Sequence, residues 1–274
     1  PLIGATLSHY RVEARLGSGR TGTVYRARDT KLDRTVALKV LPDGQTGDEK
    51  ARQRFLHEAK AASALDHPHV GTIYEVGETS DGQAFIAMAF YEGETLAEKL
   101  ARGLMPVDQA VACARQTAAA LEAAHAKGIV HRDVRPAHVM VTCEDEVKLM
   151  GFGQARLADV SLTTTGIAPG TAAYLSPEQA RGDAVDHRTD LWSLGVVLYE
   201  MLAGHRPFRA EYDAAVLYAI LNEAPEPVAS LCPDLPAGTA TLIGRLLSKR
   251  PEDRPGSAAE VVSALEAHAP SGRR

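Results

Sequence analysis

In residues 10–41 apolar and polar positions alternate in short runs. YRVEARLG, GTVYRARDT and RTVALKVL are rich in Val, Leu and Tyr and are parted by Gly or Asp turns, which predicts an antiparallel meander of strands. The period then lengthens. In DEKARQRFLHEAKAASAL, Phe55, Ala59 and Ala62 recur at three- and four-residue spacing, the mark of an amphipathic helix, and Pro68 in DHPHV closes it. Two more strand-like runs, VGTIYEVGE and AFIAMAF, complete a five-stranded sheet before EGETL breaks the pattern.

Helical spacing dominates from there. PVDQAVACARQTAAALEAAHAKG carries Pro near its start, an apolar stripe and a closing Gly128, while DLWSLGVVLYEMLAG is almost wholly apolar and predicts a buried central helix. Further helices are expected near Ala214, Ala237 and Ser257, and VMVTCEDEVKLM reads as a small hairpin with an acidic turn. The expected class is α+β: a strand-rich lobe over residues 1–91 with one helix, a larger, mainly helical lobe over 92–266, and a frayed tail over 267–274.

Composition narrows the function. At 274 residues the chain can fill one large domain or two joined lobes. Its net charge of −5 lacks the basic face that a nucleic-acid binder presents. No uncharged apolar run approaches the roughly eighteen residues of a membrane span, and PLIGATLSHY has no signal-peptide pattern. Cys113, Cys143 and Cys232 are odd in number and show no CxxC spacing, so they are read as reduced thiols in a cytoplasmic setting. Pro1 in place of an initiator methionine leaves room for a longer, membrane-anchored polypeptide of which this is the cytosolic part.

Three stretches carry chemistry. In LGSGRTGTVY, Gly17, Gly19 and Gly22 stand between two strands, a context that favours a hairpin lying over nucleotide phosphates over a Rossmann turn, although a plain Gly-rich turn fits equally. In VALKV, the Lys39 ammonium sits among apolar residues and calls for an anionic partner. Glu58 shares the inward face of the predicted helix with Phe55 and Ala62 and supplies one; a solvated Glu and an extended Lys are the plain alternative. In GIVHRDVRPAHVMV, His131-Arg132-Asp133 precedes Pro136, which stiffens the loop.

Together with Gly151-Phe152-Gly153, Ser176-Pro177-Glu178 and Asp190-x-Trp192-Ser193-x-Gly195, this ordered set resembles the eukaryotic-type (Hanks-type) bacterial Ser/Thr protein kinase domain from about Tyr10 to Leu265. The resemblance implies a bilobal kinase fold with ATP under the glycines and Val24, Ala37 and Met140 around adenine. It makes Met88 the gatekeeper and puts the hinge backbone at Ala89 to Tyr91. Lys39 would hold the α- and β-phosphates with Glu58 steadying it, and Asp133 would take the acceptor hydroxyl's proton. Glu178 would pair with Arg254, Asp190 would brace the His131–Asp133 loop, and Phe152 would stack with His131, Ile73 and Ala62.

The chain departs from the family at both magnesium positions. Gly151 stands where the pattern has aspartate and His138 where it has asparagine, while Arg135 replaces a lysine and keeps its charge. These replacements imply a pseudokinase-like domain with no protein ligand for the metal. Such a domain would bind ATP weakly or without magnesium, with Mg or Mn use in doubt, and would signal by conformation or by binding a protein partner. The alternatives are an active Ser/Thr kinase working slowly or with Mn, a scaffold with an empty cleft, and a softer ion held by His138. In ADVSLTTTGIAPGTAAYLSPE, Thr163, Thr164 and Thr165 are candidate phosphosites for another kinase, with Arg132 and Arg156 as cationic partners for an added phosphate.

Overall fold

The computed structural model describes residues 2–19, 22–41, 59, 63–79, 82–152 and 172–267. The first lobe is an antiparallel sheet of β1 (Thr6–Leu7), β2 (Tyr10–Gly19), β3 (Gly22–Asp29), β4 (Arg34–Val40), β5 (Ile73–Glu78) and β6 (Ala84–Ala89), in the order β1-β2-β3-β4-β6-β5. It therefore has six strands where five were expected. The extra one pairs Thr6 with Arg11 and Leu7 with Tyr10, a run too short to show any period in sequence.

Alternation gives this sheet two apolar faces. Val36, Leu38 and Val40 pack with Tyr10, Val12, Ala27 and Phe85 on one side. Ala59, Ala84 and Ile86 form a smaller cluster with Leu41 on the other. Ala37 and Lys39 lie between the buried residues of β4 and so point to the second side. Of the helix expected over 48–65, most lies outside the described residues.

EGETL does more than interrupt the strands. Gly93–Thr95 is strand β7, and it joins β8 (Val139–Thr142) and β9 (Val147–Leu149) in a three-stranded sheet rather than the expected two-stranded hairpin. Thr95 then caps the helix Leu96–Ala101 through a reciprocal capping box with Glu98. A parallel bridge between Val70 and Leu149 stitches this sheet to the first lobe, with Gly71 N–H donating to the Leu149 carbonyl at 2.9 Å.

The second lobe is built around two helices. Val107–His125 buries Ala110, Ala114, Ala118 and Leu121 along one stripe, and Arg188–Ala203 is buried along nearly its whole length. Helices at Asp213–Asn222, Ala237–Leu246 and Ala258–Ala267 agree with the expected starts. Short helices at Pro177–Arg181 and Val228–Leu231 were not foreseen. Among the described residues, no helix is long and apolar enough to cross a membrane.

One buried ion pair pins Pro177–Arg181 to the rest of the lobe. Arg254 Nη1 and Nη2 donate to the two oxygens of Glu178 at 2.7 Å each. The remaining Arg254 donors reach the Ser248, Lys249 and Arg188 carbonyls. Burial works against the Glu178 charge, but the Arg254 hydrogen bonds outweigh it and hold the carboxyl below its ordinary range. Removing one partner leaves a buried charge unpaired, so Glu178→Ala and Arg254→Ala are each expected to lower unfolding free energy by ~3–5 kcal/mol in urea denaturation.

Candidate active site

The cleft begins at the β2–β3 hairpin. Gly17 pairs with Val24 and Gly19 with Gly22, across two register shifts in β2. Gly22 has φ +136, and a Cβ there would stand 2.4 Å from the Val40 carbonyl oxygen, so only glycine allows the hairpin this close to β4. Lys39 lies opposite Val24 on one side and Ile86 on the other; Ala37 lies opposite Met88, and Met88 opposite Ile73. The candidate adenine-site residues Val24, Ala37 and Met88 are thus clustered by strand register. Ala89 N–H donates to the Thr72 carbonyl at 2.9 Å, and the Tyr91 hydroxyl accepts from Thr72 N–H at 3.1 Å. Met140 comes from β8, opposite Lys148.

The loop His131–His138 forms the other wall. The buried Asp190 accepts from His131 N–H at 2.8 Å and Arg132 N–H at 2.6 Å, and its Oδ2 also meets His125 Nε2 at 2.8 Å. Arg132 is held at φ +64, a left-handed conformation that a non-glycine residue adopts only where its surroundings impose it. Gln179 supports the same turn by donating to the Arg132 carbonyl at 2.9 Å. His131 Nε2–H donates to the Met150 carbonyl at 2.9 Å, and its ring meets Phe152 edge-on at 4.6 Å between centroids. Both the Asp190 brace and the His131–Phe152 stack expected from sequence are present. Ile73 packs on the same apolar cluster, while Ala62 lies outside the described residues.

Asp133, Arg135 and His138 form a closed group. Arg135 Nε is 3.3 Å from Asp133 Oδ1, and Arg135 Nη2 donates to His138 Nε2 at 3.2 Å. His138 Nδ1–H donates to the Asp133 carbonyl at 2.7 Å and lies 3.4 Å from its Oδ2. Burial raises the Asp133 carboxyl pKa; the charges of Arg135, His131 and Lys39 only partly offset this, which also puts Lys39 within electrostatic reach of Asp133. Burial pushes His138 well below its ordinary 6.5, and the Arg135 and His131 charges add to the shift. The ring is therefore neutral and fixed as the Nδ1–H tautomer.

Among the described residues, positions 138 and 151 bring no carboxylate or amide side chain to the cleft. Gly151, at φ +85, contributes no ligand, and a Cβ on it would lie 3.2 Å from the His138 ring. The lone pair of the His138 ring faces the Arg135 guanidinium, a direction that disfavours the alternative of a softer ion on this imidazole. Among the described residues, no group of three or more His, Cys, Asp or Glu is arranged to hold a metal ion.

Glu58, Gly153, Arg156 and Thr163–Thr165 lie outside the described residues. Sequence reading missed Gln179 and His125. Gln179 looks like an ordinary capping residue after Ser176, and His125 like the end of an amphipathic stripe; only the fold brings them to the loop.

The strand-rich lobe, the helical lobe and the braced loop between them define a protein kinase fold. A family model described as "Protein kinase domain" matches residues 10–265. The chain belongs to this family, in its Hanks-type bacterial branch. It is 42% identical over 97% of its length to the serine/threonine-protein kinase pkn3 of Myxococcus xanthus, and 40% identical over 97% to PknL of Mycobacterium tuberculosis. It spans 51% of the former and 67% of the latter. The PknI kinase domain of Mycobacterium tuberculosis superposes with a TM-score of 0.76 at 30% identity, covering 97% of this chain and 99% of that one.

Two stability measurements test these assignments. His138 has a depressed pKa when folded, so its contribution is present above 6.5 and is lost as pH falls below that value. Denaturation at pH values from about 7.5 down to about 5 should show the protein losing more stability than His138→Asn. Asp133 has a raised pKa when folded, so its ionisation costs stability once pH rises above 3.8. Asp133→Asn should accordingly melt higher than the parent protein at pH 7, with the gap closing at about pH 3.

Proposed function

We propose that this domain is an ATP-dependent Ser/Thr protein kinase whose phosphoryl transfer is slow because its protein anchors for magnesium are gone. The observation that carries this reading is the preserved frame around Asp133: a buried, braced loop that presents a carboxylate with a raised pKa, opposite the Lys39 strand. The relatives, named as serine/threonine-protein kinases, support the same activity. In this reading ATP lies between the glycine hairpin and the residue set Val24, Ala37, Met88 and Met140, with the hinge backbone at Ala89–Tyr91. Lys39 meets the α- and β-phosphates, with Glu58 as its partner.

Asp133 orients the acceptor hydroxyl of a protein Ser or Thr and takes its proton as the oxygen attacks the γ-phosphorus, while the bond from that phosphorus to the bridging oxygen breaks and ADP leaves with the bridging oxygen. Its raised pKa brings it toward the range in which a general base works. Arg135 sits beside that carboxylate and meets the γ-phosphate. The family uses ATP with Mg or Mn in general. Loss of both anchors removes several kcal/mol of charge stabilisation, which slows transfer by on the order of 10³. In this reading the domain works in the cytoplasm.

A second reading is favoured by the His138–Gly151 contact: a pseudokinase that binds nucleotide, or a signalling protein, and transmits conformation. Thr163–Thr165 would then be targets of another kinase, with Arg132 and Arg156 receiving the phosphate.

Incubation of dephosphorylated protein with ATP and Mg²⁺ or Mn²⁺, followed by intact mass, separates the two. Slow phosphate incorporation that disappears in Asp133→Asn supports the kinase. No incorporation in either protein overturns transfer and leaves the conformational role.

A further inference from the structure

Arg135 does more than keep a charge. Its guanidinium is fixed on two sides, by Asp133 Oδ1 at 3.3 Å and by His138 Nε2 at 3.2 Å. His138 is fixed in turn by the Asp133 carbonyl at 2.7 Å and lies against Gly151, where an added Cβ would stand a tight 3.2 Å from the ring. Three positions at which this chain departs from the family pattern are therefore parts of one arrangement. Residue 151 carries no carboxylate, an aromatic ring lies beside it, and the lone pair of that ring helps to seat a permanent cation. Unlike a divalent ion, this cation is covalently tethered, always charged and already oriented.

We propose that Arg135 is the resident cation of the cleft and that, with Lys39, it selects a metal-free nucleoside triphosphate over the magnesium complex. The proposal rests on the nucleotide-binding part of the reading above. Magnesium cancels about half of the triphosphate's charge, which weakens its attraction to the two cationic side chains. The bound metal would also bring its water shell toward a wall that offers it no side-chain oxygen from residue 151 or 138.

Calorimetric titration with ATP, in EDTA and in excess Mg²⁺, tests this on the whole chain. The expected result is affinity about tenfold tighter in EDTA. Arg135→Gln should bring the two conditions to within about twofold of each other, and Arg135→Lys should retain part of the preference. The double variant His138→Asn/Gly151→Asp should reverse the order and bind ATP more tightly with Mg²⁺. Gly151→Asp alone should not reverse it, because the ring still crowds the new side chain and Arg135 would pair with the new carboxylate. Thermal melts of each variant without nucleotide confirm that it is folded. Tighter binding with Mg²⁺ in the parent protein, or an EDTA preference that survives Arg135→Gln, overturns the proposal and leaves nucleotide binding intact. No heat and no melting shift with ATP in either condition overturns both.

Discussion

A single carboxylate organises the cleft. Asp190 is fully buried, where an unsatisfied charge would be costly, so its oxygens must be met by donors. It meets them with two consecutive backbone N–H groups, from His131 and Arg132, and with the His125 ring. Accepting from adjacent amides forces the chain to turn sharply, and Arg132 takes up the left-handed conformation at that turn. The direction of the Asp133 side chain follows from the turn. So does the placement of His131 between the Met150 carbonyl and Phe152. The burial of one helix thus sets the position of Asp133, whose own segment is an irregular loop.

The opposite side of the loop has been rebuilt. A kinase cleft needs positive charge near the phosphates, and that requirement is independent of whether a metal or a side chain meets it. Here the ring of His138, neutral and locked in one tautomer, occupies the space beside Gly151 and connects Asp133 to Arg135. The departures from the family pattern are physically coupled, and reversing one leaves the others opposing it.

Much of this was legible in the sequence because the strongest signals are local. The meander, the long helices and the apolar helix at Arg188–Ala203 follow from period and turn residues, and the ordered motifs located Lys39, Asp133 and Asp190. The Glu178–Arg254 pair came from motif resemblance and is present with both oxygens engaged. What escaped was either too short to have a period, as with Thr6–Leu7 and Gly93–Thr95, or dependent on contacts between distant segments. Nothing near His138 in sequence says that its Nε2 faces Arg135 or that its ring lies on Gly151. Likewise, Gln179 is 47 residues from the carbonyl it supports.

Those separations bear on how the domain is made. The Arg132 turn leans on Gln179, and the short helix carrying Gln179 is anchored through Glu178 to Arg254, 76 residues further along the chain. A growing polypeptide that has emerged as far as Asp190 already holds the loop, its brace and Lys39, yet the clamp on Pro177–Arg181 waits for Arg254. The wall of the cleft is consequently completed late in synthesis, after the first lobe has had time to fold. A truncated or half-made chain would contain every residue of the cleft and still lack the tether that makes it rigid.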